Sequence, residues 1–255
     1  MDAFYENLPA VSVILPCYNS EAVIRQSIEC VLAQSFSDFE LLVADDCSTD
    51  STRNIIRSYV ADDPRVHLVV TNHHVGAARM RNNCLYAARG RYIAFLNADD
   101  YWEPEKLETQ IGFMRKHNVA FSFSTYTVFN KQGMFIRVIH APRELTYNQY
   151  LCNTIICISS VVIDRDQTGK FLMPTSPLYS QTMALWLLIL RRGFIAYGID
   201  LPLVRYQEKR YATWDELKEA FKQVWRTYRQ AEHVPLWRAC FSFMLYGYHA
   251  ARKRI

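Results

Sequence analysis

The stretch Tyr92-Ile93-Ala94-Phe95-Leu96-Asn97-Ala98-Asp99-Asp100-Tyr101-Trp102 joins an apolar run to two adjacent carboxylates and an aromatic pair. Successive apolar residues predict a strand buried on both faces of a parallel sheet. Ligands of such sheets gather at the carboxyl ends of the strands. Two carboxylates are costly there unless something positive meets them, so we predict that Asp99 and Asp100 meet a divalent cation that holds a diphosphate. The alternative is an N-cap for a helix that begins near Pro104, for which one Asp is enough.

Polar residues also follow two earlier segments that have the character of strands. The predicted elements are strands at 11–15, 39–44, 66–70 and 91–96, with a helix after each of the first three. This alternation predicts βαβ units and a parallel sheet. Tyr18 and Asn19 follow the first strand, and Asp45 and Asp46 follow the second, either as site residues or as caps of the next helix. If these strands are neighbours, their polar ends converge with Asp99 on one crevice.

The rest of the chain predicts a completed α/β domain followed by helices. The pattern predicts a helix at 103–117, a hairpin over 120–139, a strand at 159–164, a helix at 181–192 and short strands at 194–199 and 203–206. From Thr213, a capping box and apolar residues at helical spacing indicate two C-terminal helices. We therefore expect an α/β domain with a mostly parallel central sheet over residues 8–206 and a helical extension over 211–255.

The composition indicates a globular protein with a basic tail. Half of the 255 residues are hydrophobic, 21% are charged and the net charge is +4, which is ordinary for a folded domain. From Arg205 to the end of the chain, eleven Lys and Arg residues face five Asp and Glu residues. This surplus favours an anionic surface as a partner. Nucleic acid fits poorly, because no recognised binding motif accompanies the charge.

The sequence shows no targeting or membrane-spanning segment. Residues 1–7 do not resemble a signal peptide, and the uncharged run 171–190 is interrupted by Pro174 and Pro177, which argues against a membrane span. The seven cysteines form no CxxC pair and no zinc-site spacing. An odd, scattered set of thiols suits a reducing compartment. We therefore expect a cytoplasmic protein.

Four segments in order resemble the signatures of the family 2 glycosyltransferases, inverting enzymes of the GT-A fold. They are Val11–Asn19, Ser35–Asp50, Gly76–Asn82 and the stretch from Tyr92 to Trp102. The likeness extends from Val11 to about Tyr206 and is less specific in the tail. It implies a GT-A-like fold and transfer of a sugar from a nucleotide-sugar donor, with inversion at the anomeric carbon.

The resemblance implies which residues hold the nucleotide. Pro16 and Tyr18 would hold the base and ribose, together with Asp46, which would reach the uracil of a UDP-linked donor. Arg81 would lie near the donor pocket. Taken singly, Tyr18 also fits a packing role and Arg81 a solvated helix position, but their joint place at the strand ends favours binding.

The resemblance also implies a divalent metal cofactor, Mn²⁺ or Mg²⁺. Asp99 would bridge the metal to the diphosphate, and Asp100 would contact hydroxyls of the donor or acceptor. The family motif is normally Asp-x-Asp, and Asn97 holds the first position here. An amide oxygen can ligate a metal but brings no charge, so Asn97 is expected to be a weak ligand. The metal would neutralise the leaving diphosphate.

The position of the expected catalytic base departs from the family pattern. Inverting transfer needs a group that takes the proton of the acceptor hydroxyl, and the family places an acid shortly before a Leu-Trp pair. Gln181 fits one variant of that motif, but Thr182 stands where the acid is expected. Either the protein is catalytically weak or inactive, or another side chain takes the role. The candidates are Asp100, Asp164, Asp166 and His140.

We therefore expect transfer of a hexose or N-acetylhexosamine from a UDP-linked donor to a saccharide or lipid-linked acceptor in surface polysaccharide synthesis. The alternative is an inactive nucleotide-sugar-binding relative that acts through partners. A nucleotidyltransferase is disfavoured, because no Gly-rich phosphate loop follows the first strand. The aromatic and basic segment Leu236–Ile255 either packs on the core or lies on the cytoplasmic face of the inner membrane.

Overall fold

The computed structural model describes residues 8–153, 155–208 and 213–252, with the backbone alone at residue 252. The strands are β1 (Val11–Cys17), β2 (Phe39–Asp45), β3 (Val66–Val70), β4 (Tyr92–Phe95), β5 (Tyr101–Trp102), β6 (Phe121–Phe129), β7 (Phe135–Ile139), β8 (Glu144–Leu145), β9 (Val161–Asp164) and β10 (Ala196–Gln207). The α-helices are α1 (Ile24–Leu32), α2 (Thr52–Asp62), α3 (Ala77–Ala87), α4 (Lys106–His117), α5 (Tyr147–Leu151), α6 (Arg165–Thr168), α7 (Gln181–Leu190), α8 (Trp214–Arg226) and α9 (Leu236–Arg252).

These strands form one sheet in the order β3-β2-β1-β4-β9-β6-β10-β5, with β7 beside β6 and β8 beside β10. β1 pairs in parallel with β2 and β4, and β2 pairs in parallel with β3. β9 is antiparallel to both of its neighbours, so β6 and its parallel partner β10 run in the direction of β4. The expected α/β fold with a mostly parallel central sheet is confirmed. Because β1 lies between β2 and β4, the three polar strand ends are adjacent.

Helices cover both faces of the sheet, because the central strands present apolar side chains on each face. α1, α2 and α4 pack on one face through Ile24, Ile56 and Leu107. α3 and α7 cover the other face, here called the α3–α7 face, whose core includes Trp186. All four residues of β4 are buried, as the apolar run predicted.

Two features of the fold differ from the sequence-based expectation. The predicted strands at 194–199 and 203–206 are one strand, β10, whose pairing with β6 shifts register around Pro202, where the ring leaves no N–H for the ladder. The helix after the acidic pair begins only at Lys106, and its N-cap residue Glu105 makes no side-chain capping bond. The capping alternative for Asp99 and Asp100 is therefore wrong.

The C-terminal helices share the core of the α3–α7 face. The Thr213 hydroxyl accepts a hydrogen bond of 3.2 Å from the Glu216 N–H, which begins α8 as predicted. Tyr228, in the π-helical turn between α8 and α9, is fully buried and donates to the Leu151 carbonyl. Among the described helices, none is long and apolar enough to cross a membrane. The basic end of the tail, residues 253–255, lies outside the described residues.

Candidate active site

The loop after β1 is fastened to the loop after β2. The Asn19 N–H donates to Ser48 Oγ at 2.9 Å, and Asn19 Oδ1 accepts from the Thr49 N–H at 2.9 Å. Asn19 can make both contacts because its backbone is left-handed, with φ of 46°, a conformation that Asn tolerates better than most residues. This bracing fixes Tyr18, the preceding residue, at the carboxyl end of β1.

Tyr18, His74 and Asp46 form a connected group at this edge of the sheet. The Tyr18 ring is 46% exposed, and its centroid lies 4.3 Å from that of His74. His74 Nδ1 lies 3.0 Å from Asp46 Oδ2. The Asp46 carboxylate also accepts from the N–H groups of Val75 and Gly76, at 2.7 and 2.8 Å. Asp46 is 2% exposed, so the surface that the group presents is made by Tyr18 and His74.

Neither carboxylate after β2 caps the following helix. Asp45 forms an ion pair of 2.6 Å with Arg53 Nε and accepts from the Ser48 N–H at 3.2 Å. The N-cap residue of α2 is Ser51, which makes no side-chain capping bond. Asp45 therefore ties α2 to the sheet, while Asp46 positions the turn that leads into α3.

Arg81 brings a buried guanidinium to the end of β4. The residue is 8% exposed, and its Nη2 donates to Asn97 Oδ1 at 2.8 Å. Its Nη1 lies 3.8 Å from Met173 Sδ, and its Nε has no hydrogen-bond partner. Burial lowers the pKa of Arg81 to about 10, although Asp100 and Asp99 oppose that shift. Within the described residues Arg81 has no ion-pair partner, so its charge is available to a ligand.

Asn97 is occupied on both sides of its amide. Its Oδ1 accepts from Arg81, and its Nδ2 donates to Asp100 Oδ2 at 3.0 Å. The oxygen that a metal would use therefore faces a guanidinium. Asn97 therefore links Arg81 to Asp100, and its expected role as a weak metal ligand stays a prediction.

Asp100 is fully buried and accepts three hydrogen bonds. Besides Asn97, its donors are Ser159 Oγ at 2.5 Å and the Gln207 N–H at 3.0 Å. Burial and the neighbouring charge of Asp99 raise the pKa of Asp100 to about 6. This buried carboxylate fastens the ends of β4 and β10 together, and its contact with hydroxyls of the donor or acceptor stays a prediction. Because of this burial, Asp100 is not an accessible base.

Asp99, in contrast, lines an open cleft of about 220 Å³ at this edge of the sheet. We call it the Arg81 cleft. Its lining includes Pro16, Tyr18, Ser20, Arg81, Asn97 and Asp99. The structure thus brings together five of the residues predicted to hold the nucleotide and metal, and Asp46 is joined to them through His74 and Tyr18.

The N-terminus of α7 also points to this edge. Trp186 packs between Phe95 of β4 and Phe121 of β6, with centroid separations of 6.0 and 5.3 Å. A short turn connects α7 to β10, which begins level with Phe121, so α7 runs antiparallel to β4. Thr182 precedes Trp186 by one helical turn, which places it on the same side of α7 and about 6 Å nearer to the carboxyl edge. Thr182 is half-buried there, and its assignment as the position of the expected base stays a prediction.

Two of the alternative bases lie at the wrong edge of the sheet. Asp164 is paired with Tyr92, the first residue of β4, and forms an ion pair of 2.7 Å with Arg91 Nη2. Asp166 Oδ2 lies 3.6 Å from Arg91 Nε. Both carboxylates are therefore at the amino end of β4, remote from Asp99, and the structure excludes them as bases. His140 is the remaining candidate.

Three residues of this region were not singled out from the sequence. His74 links Tyr18 to Asp46, Ser159 donates to Asp100, and Asn82 makes hydrogen bonds of 2.9 and 2.7 Å with the backbone of Met173. The position of His74 could have been noticed in the sequence, because it is a polar residue two positions before Gly76, the N-cap residue of α3. Ser159 could not have been found in this way, since its contact depends on the pairing of distant strands.

In the described part of the chain, no group of three or more His, Cys, Asp and Glu side chains is arranged to hold a metal ion.

Comparison with known proteins identifies the family. The sequence model of the glycosyl transferase family 2 matches residues 12–168. The putative teichuronic acid biosynthesis glycosyltransferase TuaG of Bacillus subtilis is 41% identical over 248 residues, which cover 97% of this chain and 98% of TuaG. The Escherichia coli UDP-Glc:alpha-D-GlcNAc-diphosphoundecaprenol beta-1,3-glucosyltransferase WfgD is 40% identical over 186 residues, covering 73% of this chain and 72% of WfgD.

Solved structures show the same fold at low sequence identity. Residues 1–349 of Staphylococcus aureus TarS in complex with UDP-GlcNAc superimpose with a TM-score of 0.70 at 18% identity, covering 94% of this chain and 71% of that one. The Pyrobaculum calidifontis mannosyltransferase PcManGT, in complex with GDP-Man and Mn²⁺, gives a TM-score of 0.62 at 18% identity, covering 96% and 75%.

The family match covers more than half of the chain, and TuaG matches it nearly end to end. The related proteins carry the names of glycosyltransferases, and they give no support to the alternative of an inactive binder. The fold, the strand-end cleft and these relatives agree: the chain is a glycosyltransferase and belongs to glycosyl transferase family 2.

Proposed function

We propose that this glycosyltransferase moves a sugar from a UDP-linked donor to a lipid-linked saccharide, with inversion at the anomeric carbon. The buried guanidinium of Arg81, which lines one cleft with Asp99, carries the proposal. A buried cation is costly until a counter-ion meets it, and a diphosphate in the cleft supplies that counter-ion. WfgD is named for a UDP-Glc donor and TarS was solved with UDP-GlcNAc, which supports a UDP-linked donor here.

The base and ribose are assigned to the end of the cleft at Pro16 and Tyr18. The exposed ring of Tyr18 offers a stacking surface, and stacking on an aromatic side chain contributes about 1–3 kcal/mol per base. His74 supports that ring from beside it. Asp46 is the acceptor proposed for the uracil N–H, because its Oδ1 accepts from the Val75 N–H and retains a second lone pair.

A divalent cation, Mn²⁺ or Mg²⁺, fits the cleft when the donor brings part of its ligand shell. Asp99 provides a carboxylate at the cleft, whereas Asn97 is engaged with Arg81. Mg²⁺ is commonly held by one or two carboxylates together with substrate phosphates, and the donor set here suits that mode. Such a metal would neutralise the charge of the departing diphosphate. Binding of the metal is therefore expected to require the nucleotide.

The proposed acceptor is carried by a lipid, and α9 offers a surface for the membrane that holds it. Four large side chains of α9 are exposed at helical spacing: Trp237 at 75%, Phe241 at 55%, Met244 at 67% and Tyr248 at 56%. Spacings of four, three and four residues place them in one stripe. Together they form a continuous apolar surface, which on a soluble protein marks an interaction site.

The charge of the C-terminal segment favours an anionic bilayer as the occupant of this stripe. Residues 233–255 contain no Asp or Glu, and Arg238, Arg252, Lys253 and Arg254 are basic. Trp and Tyr are enriched at the interface between a membrane and water, and basic residues near an anionic leaflet contribute about 1 kcal/mol each. We propose that α9 holds the enzyme peripherally at the cytoplasmic face of the inner membrane. The diphosphoundecaprenol acceptor in the name of WfgD supports this placement.

The donor assignment is tested with Arg81→Lys, because a point charge on a thinner side chain cannot reproduce the planar fork of arginine. Arg79→Lys is the matched control, since Arg79 is exposed on the same helix. Calorimetric titration with UDP and Mn²⁺ should show affinity at least about tenfold weaker for Arg81→Lys and unchanged for Arg79→Lys.

The transfer itself is tested with purified enzyme, a panel of UDP-sugars and GlcNAc linked to a short-chain lipid diphosphate. Nuclear magnetic resonance of the product should show inverted anomeric configuration. A product with retained configuration, or a protein that binds no uridine nucleotide, would overturn the proposal.

A further inference from the structure

A polar group on the α3–α7 face is unused by the donor site and concerns the missing base. His140 Nδ1 lies 2.8 Å from Asp200 Oδ1, and Thr125 Oγ1 donates to the same oxygen at 2.7 Å. The side chains of His140 and Asp200 are 71% and 62% exposed. Thr125 is buried and also accepts from the Ala141 N–H at 2.8 Å. Thr125 therefore anchors the backbone that follows β7 at Ala141, while the imidazole of His140 remains open to solvent.

The contact with Asp200 fixes which nitrogen of His140 can accept a proton. The bonds from Thr125 and His140 lower the pKa of Asp200, so this carboxylate is ionised at neutral pH and acts only as an acceptor. Nδ1 of His140 must then carry the hydrogen. In the neutral ring Nε2 therefore holds the free lone pair, which is the arrangement of a general base oriented by a carboxylate.

The sheet register places this group level with the donor site. Phe123 of β6 pairs with Val161 of β9, and Val162 of β9 pairs with Ala94 of β4. Phe123 is thus level with Phe95, and Thr125, two residues further on, is level with Asn97. Phe123 and Phe95 belong to the same core, so Thr125 faces the α3–α7 face, as do Arg81 and α7.

Two strand intervals separate β4 from β6, which corresponds to about 10 Å between Asn97 and Thr125. Inversion requires that the attacking hydroxyl and the departing diphosphate lie on opposite sides of the anomeric carbon. Inverting glycosidases leave about 6.5–9.5 Å between their two working groups for the same geometric reason. A spacing of about 10 Å between the two backbones is of the same order.

We propose that His140 is the general base of the transfer, with Asp200 and Thr125 as positioning residues. This inference rests on the proposed function. His140 Nε2 takes the proton of the acceptor hydroxyl as that oxygen bonds to the anomeric carbon. The bond between the anomeric carbon and the diphosphate oxygen breaks, and its electron pair leaves with UDP. The resulting imidazolium is stabilised by Asp200 and later releases its proton to water.

The proposal explains how transfer proceeds with Thr182 at the usual place of the acid. Its hydroxyl is no base near neutral pH, and Asp100, Asp164 and Asp166 are excluded by burial or by position. His140 directly follows the last residue of β7, which pairs with β6. It therefore approaches the α3–α7 face beside β6.

His140→Ala is the first test, with His117→Ala as a control, since His117 is exposed at the end of α4. The turnover number of His140→Ala should fall by about 10²–10⁴-fold, with UDP affinity unchanged, and His117→Ala should match the wild type. Added imidazole should restore part of the activity of His140→Ala, because it replaces the lost base. A structural role would not give such rescue.

The second test combines His140→Ala with Thr182→Asp, which returns an acid to the family position. The double variant should regain at least about tenfold in turnover over His140→Ala, a restoration that a folding defect could not produce. Asp200→Asn should lower the turnover number without changing UDP affinity, and imidazole should rescue it less than His140→Ala.

Wild-type turnover retained in a folded His140→Ala protein would overturn the assignment of the base and leave the proposed function standing. Absence of transfer by the wild type with every UDP-sugar would instead refute the proposed function. Loss of UDP binding in His140→Ala would also count against the base, since a base acts on the acceptor.

Discussion

Arg81 donates a hydrogen bond of 2.8 Å to the amide oxygen of Asn97, and this neutral partner leaves the positive charge of the Arg81 cleft in place. An aspartate at position 97, as in the usual family motif, would neutralise the guanidinium. With asparagine, Arg81 is held in place and keeps its full charge. In the proposed donor site, this departure from Asp-x-Asp would give part of the task of holding the diphosphate to Arg81.

Asn97→Asp should weaken binding of UDP in the absence of metal. The new carboxylate pairs with Arg81 and competes with the diphosphate, so affinity measured by calorimetry in EDTA should fall about fivefold or more. The variant also removes the Nδ2 donor from the buried Asp100, which should lower the free energy of unfolding by about 1–3 kcal/mol in urea titrations.

Asn72→Asp is the control for that change, because Asn72 is exposed in the loop after β3 and the substitution adds the same charge. It should leave both measurements unchanged. Equal affinities of Asn97→Asp and wild type for metal-free UDP would show that Arg81 does not hold the diphosphate.

Lys106 is a second buried cation, and its expected effect is on stability. It is fully buried, its Nζ has no hydrogen-bond partner, and Nζ lies 4.0 Å from the centroid of the Trp102 ring. Burial lowers the pKa of Lys106 to about 7. The unfolded chain therefore binds more protons between about pH 7 and pH 10.5, so this residue makes the protein more stable as pH rises through that window.

Lys106→Met should fill the same space without a charge. We expect the free energy of unfolding at pH 7 to rise by about 1–3 kcal/mol, and the increase with pH between 7 and 10 to flatten. Urea unfolding at pH 7, 8 and 9 measures both effects. Lys116→Met, an exposed position on the same helix, should show neither, and a destabilised Lys106→Met would mean that the ammonium has a stabilising role.

The sequence predicted those parts of the fold that depend on local patterns. The apolar run at β4 and the alternation of strands and helices predicted the sheet, and the polar ends predicted where Tyr18 and Asp99 meet. The register between β4, β9 and β6 could not be predicted in this way, because pairing of distant strands depends on the whole core. For that reason Asp164 was a candidate base in the sequence and lies at the opposite edge in the structure.

Asp99 and Asp100 also differ in a way that local sequence patterns could not predict. Adjacent residues point to different sides of the chain, and nothing local indicates which carboxylate meets solvent. Ser159 and Gln207, distant in sequence, supply the donors that keep Asp100 buried. The sequence therefore predicted an acidic site but assigned a ligand-binding role to both acids.

The stripe on α9 gives a prediction about the membrane. Deleting the helix is a poor test, because Ala239 is buried in the core and Phe243 packs on Trp225 of α8, with centroids 5.4 Å apart. Replacing Trp237 and Phe241 by Ser changes only exposed positions. This double variant should lose at least about tenfold in affinity for vesicles containing phosphatidylglycerol, since it removes two large apolar side chains from the interface.

Trp214→Ser is the control, because Trp214 is 77% exposed at the start of α8 and lies outside the stripe. Sedimentation with vesicles should show wild type and Trp214→Ser bound to phosphatidylglycerol, less so to phosphatidylcholine, with binding weakened by salt. Turnover with a short-chain, water-soluble acceptor should be equal in all three proteins, because α9 acts on access to the membrane and not on the chemistry. Equal vesicle binding by wild type and the double variant would refute the role of the stripe.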